Sequence, residues 1–164
     1  MTLFLLPEAS LAINIHVICA IPALLLGPIA LFRKRRDRLH KTVGYVWITA
    51  MVGLSVSGLF IESFMSFLGF FGPIHLLSIV TLAGLAAAIW QIRTGDVAGH
   101  RRRMCEVWFG AMGLAGTFTL VPGRIMSTRL LGEDNPLGWA LIAAALLGLA
   151  YLAHYAIPTA PRRA

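Results

Sequence analysis

Four histidines occur in a doubled arrangement that could hold a metal-containing cofactor. His16 lies 24 residues before His40, and His75 lies 25 residues before His100. A neutral imidazole can bind a metal through one ring nitrogen while the other N–H donates to an oxygen. Two imidazoles on facing helices can fill both axial positions of a haem iron. The spacing therefore predicts two histidine pairs, His16 with His75 and His40 with His100.

The histidines belong to a longer internal repeat. His40 precedes one copy of a six-residue string and His100 precedes the other, and the copies are Val46-Trp47-Ile48-Thr49-Ala50-Met51 and Val107-Trp108-Phe109-Gly110-Ala111-Met112. Both copies run in the same direction, which predicts a parallel repeat, about 11–64 and about 74–121, related by a pseudo-two-fold axis along the membrane normal. That axis would bring the two histidines of each pair to face one another, with the pairs roughly 20 Å apart.

The composition is that of a membrane protein. Hydrophobic residues make up 58% of the chain and charged residues 13%, which is far more apolar than an ordinary soluble domain. Five stretches are long enough to cross the hydrocarbon core: Leu11–Phe32, Val43–Phe64, Ile74–Ile92, Met104–Val121 and Leu137–Ile157. The sequence therefore predicts one all-α transmembrane domain, 1–164, of about five helices. Four of them form the repeated bundle, and the last, about 137–157, lies outside it.

The basic residues indicate an orientation. Of the 14 lysines and arginines, six follow the first stretch, four follow the third and two lie near the C-terminus, while only Arg124 and Arg129 lie on the other side. The positive-inside rule then places the N-terminus outside and the C-terminus in the cytoplasm. Because these residues form short clusters between apolar stretches, they favour contact with a lipid bilayer and argue against a nucleic-acid-binding face.

Five further residues are candidates for holding a cofactor. Gly44, one helical turn after His40, could leave room for a porphyrin plane. Trp47 and Trp108 could flank it, although packing or anchoring at the membrane interface explains them equally well. Arg124 on the outside and Arg101 on the inside could pair with haem propionates. No catalytic residue is predicted.

Each histidine also has an ordinary interpretation. A solvated loop residue explains His40 or His100 taken alone, and a hydrogen-bonded packing residue explains His16 or His75 taken alone. His154, which has no counterpart in the repeat, is interpreted as structural. The doubled spacing is what favours ligation for the other four.

Several motifs make the chain resemble the predicted bacterial membrane proteins grouped as domain of unknown function 2306. The resemblance runs from His16 to about Met126 and is carried by Gly27-Pro28, His40 with Gly44-Tyr45, Ser57-Gly58-Leu59-Phe60, Pro73-Ile74-His75-Leu76-Leu77-Ser78, His100-Arg101-Arg102-Arg103-Met104 and Pro122-Gly123-Arg124. It implies a location in the bacterial inner membrane and brings no established activity. The layout is also similar to the di-haem cytochromes b that ascorbate reduces, and that likeness implies haem b and electron transfer.

Together these observations favour a small transmembrane electron-transfer protein with two bis-histidine b-type haems. If it is an enzyme, it is a membrane oxidoreductase subunit, and its redox partner is a quinone or another membrane protein. Two other functions fit the same residues. One is a factor that handles haem or copper transiently, and the other is a non-catalytic structural subunit of a larger membrane complex. The chain itself could form a homo-oligomer or join such a complex.

Overall fold

The computed structural model describes residues 10–33, 35–63, 69, 71–123, 127–128, 131–132 and 137–156. Their regular structure is helical, as the sequence predicts. The helices are α1 Leu11–Phe32, α2 Arg38–Gly58, α3 Pro73–Arg93, α4 Val97–Val107, a π-helical segment Trp108–Gly113, α5 Leu114–Phe118 and α6 Leu137–Ala156. The chain divides into two compact units, Met1–His100 and Arg101–Ala164.

Three of the described helices are long and apolar enough to cross a membrane: α1, α3 and the Leu137–Tyr155 part of α6. Membrane-spanning character is thereby supported, whereas the count of five spans stays a prediction. α2 is 21 residues long, but it begins in the basic loop with Arg38 and contains Lys41. α4 contains three consecutive arginines, Arg101 to Arg103. The predicted end residues Phe64 and Ile157 lie outside the described residues.

Both of these helices begin earlier than their apolar stretches because an aspartate caps each of them. The Asp37 carboxylate accepts the N–H of His40 at 2.9 Å at the start of α2. The Asp96 carboxylate accepts the N–H of Gly99 at 2.8 Å at the start of α4. Such a cap satisfies a backbone donor that has no partner within the helix, so the helix extends into polar sequence. Asp37 lies three residues before His40 and Asp96 lies four residues before His100. The superposition of the two copies of the repeat stays a prediction.

In the Met1–His100 unit, α2 packs against both α1 and α3 through glycines. A Cβ atom at Gly53 would lie 2.7 Å from the Cys19 Sγ of α1, and one at Gly58 would lie 2.7 Å from the Ser78 Oγ of α3. The indole N–H of Trp47 also donates to the carbonyl oxygen of Ala23 at 2.9 Å, which ties α2 to α1. Small residues allow this close approach of helices in lipid.

In the Arg101–Ala164 unit, α6 packs on the π-helical segment. A Cβ atom at Gly113 would lie 2.9 Å from the Cδ2 of Leu149. Gly113 is buried, whereas Leu147 and Tyr151 of α6 are exposed, as expected for a helix that meets lipid along most of its surface.

Candidate histidine sites

The four candidate histidines belong to the Met1–His100 unit and fall into two groups along its helices. At the end called outer from the predicted topology, α1 begins, α2 ends and α3 begins. At the inner end, α1 ends, α2 begins and α3 ends. His16 and His75 lie near the outer end, and His40 and His100 belong to the helix starts at the inner end.

The hydrogen bonds around His16 leave one of its ring nitrogens unprotonated. Its Nδ1 lies 3.3 Å from the Ser57 Oγ. That hydroxyl lies 2.7 Å from the carbonyl oxygen of Gly53 and donates its hydrogen there. The network therefore assigns the imidazole hydrogen to Nδ1, which donates to Ser57, and leaves a lone pair on Nε2. This is the arrangement of a metal-binding imidazole.

His75 is held in the opposite way. It is 1% exposed and is the third residue of α3. Its Nδ1 accepts the N–H of Gly72 at 3.1 Å, so the side chain caps the helix start, and its ring stacks on Phe71 with centroids 5.0 Å apart. A neutral ring whose Nδ1 accepts a hydrogen bond carries its hydrogen on Nε2. Iron binding at Nε2 would require that hydrogen to move and the bond to Gly72 to break.

α2 nevertheless brings His16 close to Ser78, which lies in the first turns of α3 after His75. The Cβ position of Gly58 lies 2.7 Å from the Ser78 Oγ and 3.5 Å from the His16 Cε1. Ser78 is one helical turn beyond His75 on α3. His16 and the first turns of α3 therefore meet over the same glycine, at the end of the bundle where the sequence predicts that His16 and His75 pair.

At the inner end, His100 is the better placed of the two histidines. Its Nδ1 lies 2.9 Å from the carbonyl oxygen of Ala88, to which it donates, so Nε2 keeps its lone pair. The Nδ1 of His40 is buried and has no hydrogen-bond partner among the described residues. Apart from its chain neighbours and the backbone of its own helix, Gly44 has no atom within 4 Å of its Cβ position, and its place beside a porphyrin stays a prediction.

The two inner histidines lie at different depths along the helices. Ala88, which holds His100, is ten residues inward of Ser78 on α3, or about 15 Å. His40 is 18 residues inward of Gly58 on α2, or about 27 Å. The sequence predicts roughly 20 Å between the outer and the inner histidine pair. The depth of His100 is smaller than this distance, and the depth of His40 is larger. A shared iron would need the first turn of α2 to move toward His100.

The structure describes three of the four remaining predicted residues. Trp47 is 1% exposed, and its N–H is used in the contact with α1, so packing accounts for it. Trp108 is buried with no acceptor for its N–H among the described residues. Arg101 is an exposed residue of α4. Arg124 lies outside the described residues, so its predicted pairing with a propionate stays a prediction.

Sequence reasoning missed the polar partners that orient the rings. The sequence pattern marks Ser57 only as part of the motif Ser57-Gly58-Leu59-Phe60, and the acceptor of His100 is a backbone carbonyl, which no side-chain pattern reveals. The capping aspartates had a sequence signal, because an aspartate immediately before a helical stretch is a typical N-cap. Asp37 also pairs with Arg33, whose Nε donates to its Oδ1 at 2.9 Å. The Arg33 guanidinium and then the His40 N–H hold the pKa of the Asp37 carboxyl well below its usual range.

In the part of the chain that the structure describes, no three or more His, Cys, Asp or Glu side chains form a group able to hold a metal ion. A bis-histidine haem needs only two protein ligands, so this finding does not bear on it. The family model for Predicted membrane protein (DUF2306) matches residues 13–157. Comparisons with curated proteins and with solved structures found no match.

Proposed function

We propose that this chain, which belongs to the DUF2306 family of predicted membrane proteins, is a transmembrane electron-transfer protein. In this proposal a b-type haem is bound between His16 and His75. The family membership agrees with the motif resemblance and implies contact with the lipid bilayer. It leaves the chemistry open, so the proposal is argued from the histidines.

The observation that carries the proposal is that His16 of α1 and Ser78 of α3 both lie against Gly58 of α2. His16 reaches this place with its Nδ1 hydrogen engaged by Ser57, which leaves Nε2 as a base within the helix bundle. A polar ring inside a membrane is costly, which makes His16 a functional candidate. A neutral imidazole is also the side chain that most commonly ligates metals in proteins. A haem bound there would supply a one-electron redox centre.

His75 would be the second ligand, and its binding has a defined cost. The Nε2 hydrogen must move, and the bond from the Gly72 N–H must be given up. A neutral hydrogen bond contributes about 0.5–1.5 kcal/mol net, which an iron–nitrogen bond can offset. A second haem at His40 and His100 would add a larger rearrangement of α2. The outer site should therefore be filled first.

The test is a visible spectrum of the purified, dithionite-reduced protein after expression with added haem. His16→Ala and His75→Ala should remove or shift the same band. The matched control is His154→Ala, because His154 is exposed on α6 and stacks edge-on only with Tyr155. The control should keep the wild-type spectrum. A haem-free wild-type protein, or a band that survives both outer substitutions, would contradict the proposal.

A second candidate function is favoured by the His75 capping bond. If His75 serves only to begin α3, the protein is a structural membrane subunit and its histidines pack without a cofactor. His75→Ala would then lower thermal stability in a protein that never shows a visible band. Stability and absorbance measured on the same sample separate the two functions.

A further inference from the structure

The two tryptophans of the repeated six-residue string differ in the hydrogen bonding of the indole N–H. Trp47 and Trp108 occupy the same place in the two copies, and both are buried, at 1% and 7% exposed. The indole N–H of Trp47 donates to the Ala23 carbonyl at 2.9 Å. The indole N–H of Trp108 is buried and has no acceptor in the part of the chain that the structure describes. One copy therefore contains a buried hydrogen-bond donor that has no acceptor among the described residues.

The backbone at Trp108 is also unusual. This residue opens the π-helical segment Trp108–Gly113, which interrupts an otherwise α-helical run from Val97 to Phe118. Single π turns within α-helices are rare and are frequent at functional sites. A buried N–H without a partner is likewise rare, because its desolvation is not compensated. Both exceptions occur at the same residue, which marks it as a binding position.

The surroundings restrict the ligand's chemistry. An indole only donates, so the ligand must offer an acceptor. The neighbours Phe109, Ala111 and Met112 are buried and uncharged, so a charged acceptor would be left unpaired there. The edge-to-face contact between Trp108 and Phe109, with centroids 4.9 Å apart, offers aromatic surface to a flat ring. A neutral, flat, carbonyl-bearing molecule that dissolves in the bilayer fits these conditions.

We propose that the Trp108 N–H donates to a carbonyl oxygen of a lipid-soluble quinone. The choice of a quinone among neutral carbonyl compounds rests on the proposed electron-transfer function, since a quinone is the membrane-soluble redox partner of this chemistry. The position of the hydrogen bond rests on Trp108 alone. The closing experiment therefore measures binding without haem.

The experiment is calorimetric titration of the full-length, haem-free protein in detergent with decylubiquinone. The wild type and Trp90→Phe should bind alike, because Trp90 is 66% exposed and serves as the control for loss of an indole. Trp108→Phe should bind about fivefold more weakly, as expected for one lost neutral hydrogen bond. Equal affinity of all three proteins, or no binding by the wild type, would overturn the proposal. Displacement of the quinone by diolein would also overturn it and identify an ester lipid as the occupant.

A measurement on the unsubstituted protein covers the case in which Trp108→Phe does not fold. The chain has four tryptophans. Single substitutions of the three other than Trp108 identify their indole N–H signals in the nuclear magnetic resonance spectrum of the wild type, so the remaining signal belongs to Trp108. Decylubiquinone should shift the Trp108 signal and leave that of Trp47 in place. A Trp108 signal that exchanges with a buried water and ignores the quinone would overturn the proposal. A wild-type protein that binds the quinone but never takes up added haem would support the quinone site while refuting the haem site.

Discussion

Replacing each of the two buried tryptophans by phenylalanine should have unequal effects on stability. Both substitutions remove similar ring volume from a buried position, so the cavity term nearly cancels in the comparison. Trp47→Phe also removes the hydrogen bond to the Ala23 carbonyl, which costs about 0.5–1.5 kcal/mol. Trp108→Phe instead removes an unsatisfied buried donor, which returns about 1–3 kcal/mol. Trp47→Phe should therefore be less stable than Trp108→Phe by about 1.5–4.5 kcal/mol.

The assay is equilibrium unfolding of the haem-free, quinone-free protein in mixed micelles, followed by far-ultraviolet circular dichroism. This signal reports helix content and does not depend on the tryptophan that is removed. Trp90→Phe provides the baseline for an exposed indole. Unfolding free energies of the two buried variants that agree within about 0.5 kcal/mol would refute the reasoning, since the indole of Trp108 would then be as well bonded as that of Trp47.

Three further predictions concern the helix contacts, the cap of α2 and the topology. Gly44→Ala should stabilise the haem-free protein by about 0.5–1 kcal/mol, because alanine favours the helix over glycine. Gly58→Ala should not be stabilised in this way, because its Cβ would lie 2.7 Å from the Ser78 Oγ and the crowding offsets the gain. Equal unfolding free energies would contradict this contrast. At neutral pH the wild type should be more stable than Asp37→Asn. This difference in stability should fall as the pH is lowered through the ordinary aspartate range and below it. The reason is that the pKa of Asp37 is lowered in the folded chain, so its contribution is lost only when the carboxylate is protonated. Thermal unfolding at each pH checks this, and a constant difference down to about pH 2 would exclude it. A reporter fused after Ala164 should be active in the cytoplasm, and a cysteine at Gly69, with the two native cysteines changed to alanine, should react with an impermeant thiol reagent from outside. Labelling from the cytoplasmic side alone would reverse the topology.

The starts of α2 and α4 show where hydropathy alone stops being informative. The apolar stretch that gives α2 begins at Val43, yet the helix begins at Arg38 because Asp37 caps it. Hydropathy measures the cost of moving residues into lipid, and it does not register a hydrogen bond that starts a helix in polar sequence. The same reason explains the start of α4, where Asp96 caps a helix that contains three arginines.

The sequence by itself determined the class of the protein and the end of the bundle to which the first histidine pair belongs. Transfer of apolar side chains into lipid depends on composition and length, so the membrane-spanning character of α1, α3 and the last helix could be predicted without coordinates. The pairing of His16 with the start of α3 follows from the order of the helices, because a chain that crosses and returns brings these two points to the same side.

Only the tertiary structure decided what each polar ring does. His16 and His75 are the same residue type in the two copies of the predicted repeat, yet Ser57 accepts a hydrogen bond from the Nδ1 of His16, and the Nδ1 of His75 accepts the Gly72 N–H. Trp47 and Trp108 differ in the same way, since only one of them meets a described carbonyl. Hydrogen bonds depend on ångström-scale distances to atoms distant in the sequence, many of them backbone atoms that every residue carries. The residue letters therefore identify the groups that could react, and the packing of the helices determines which of their nitrogens are engaged.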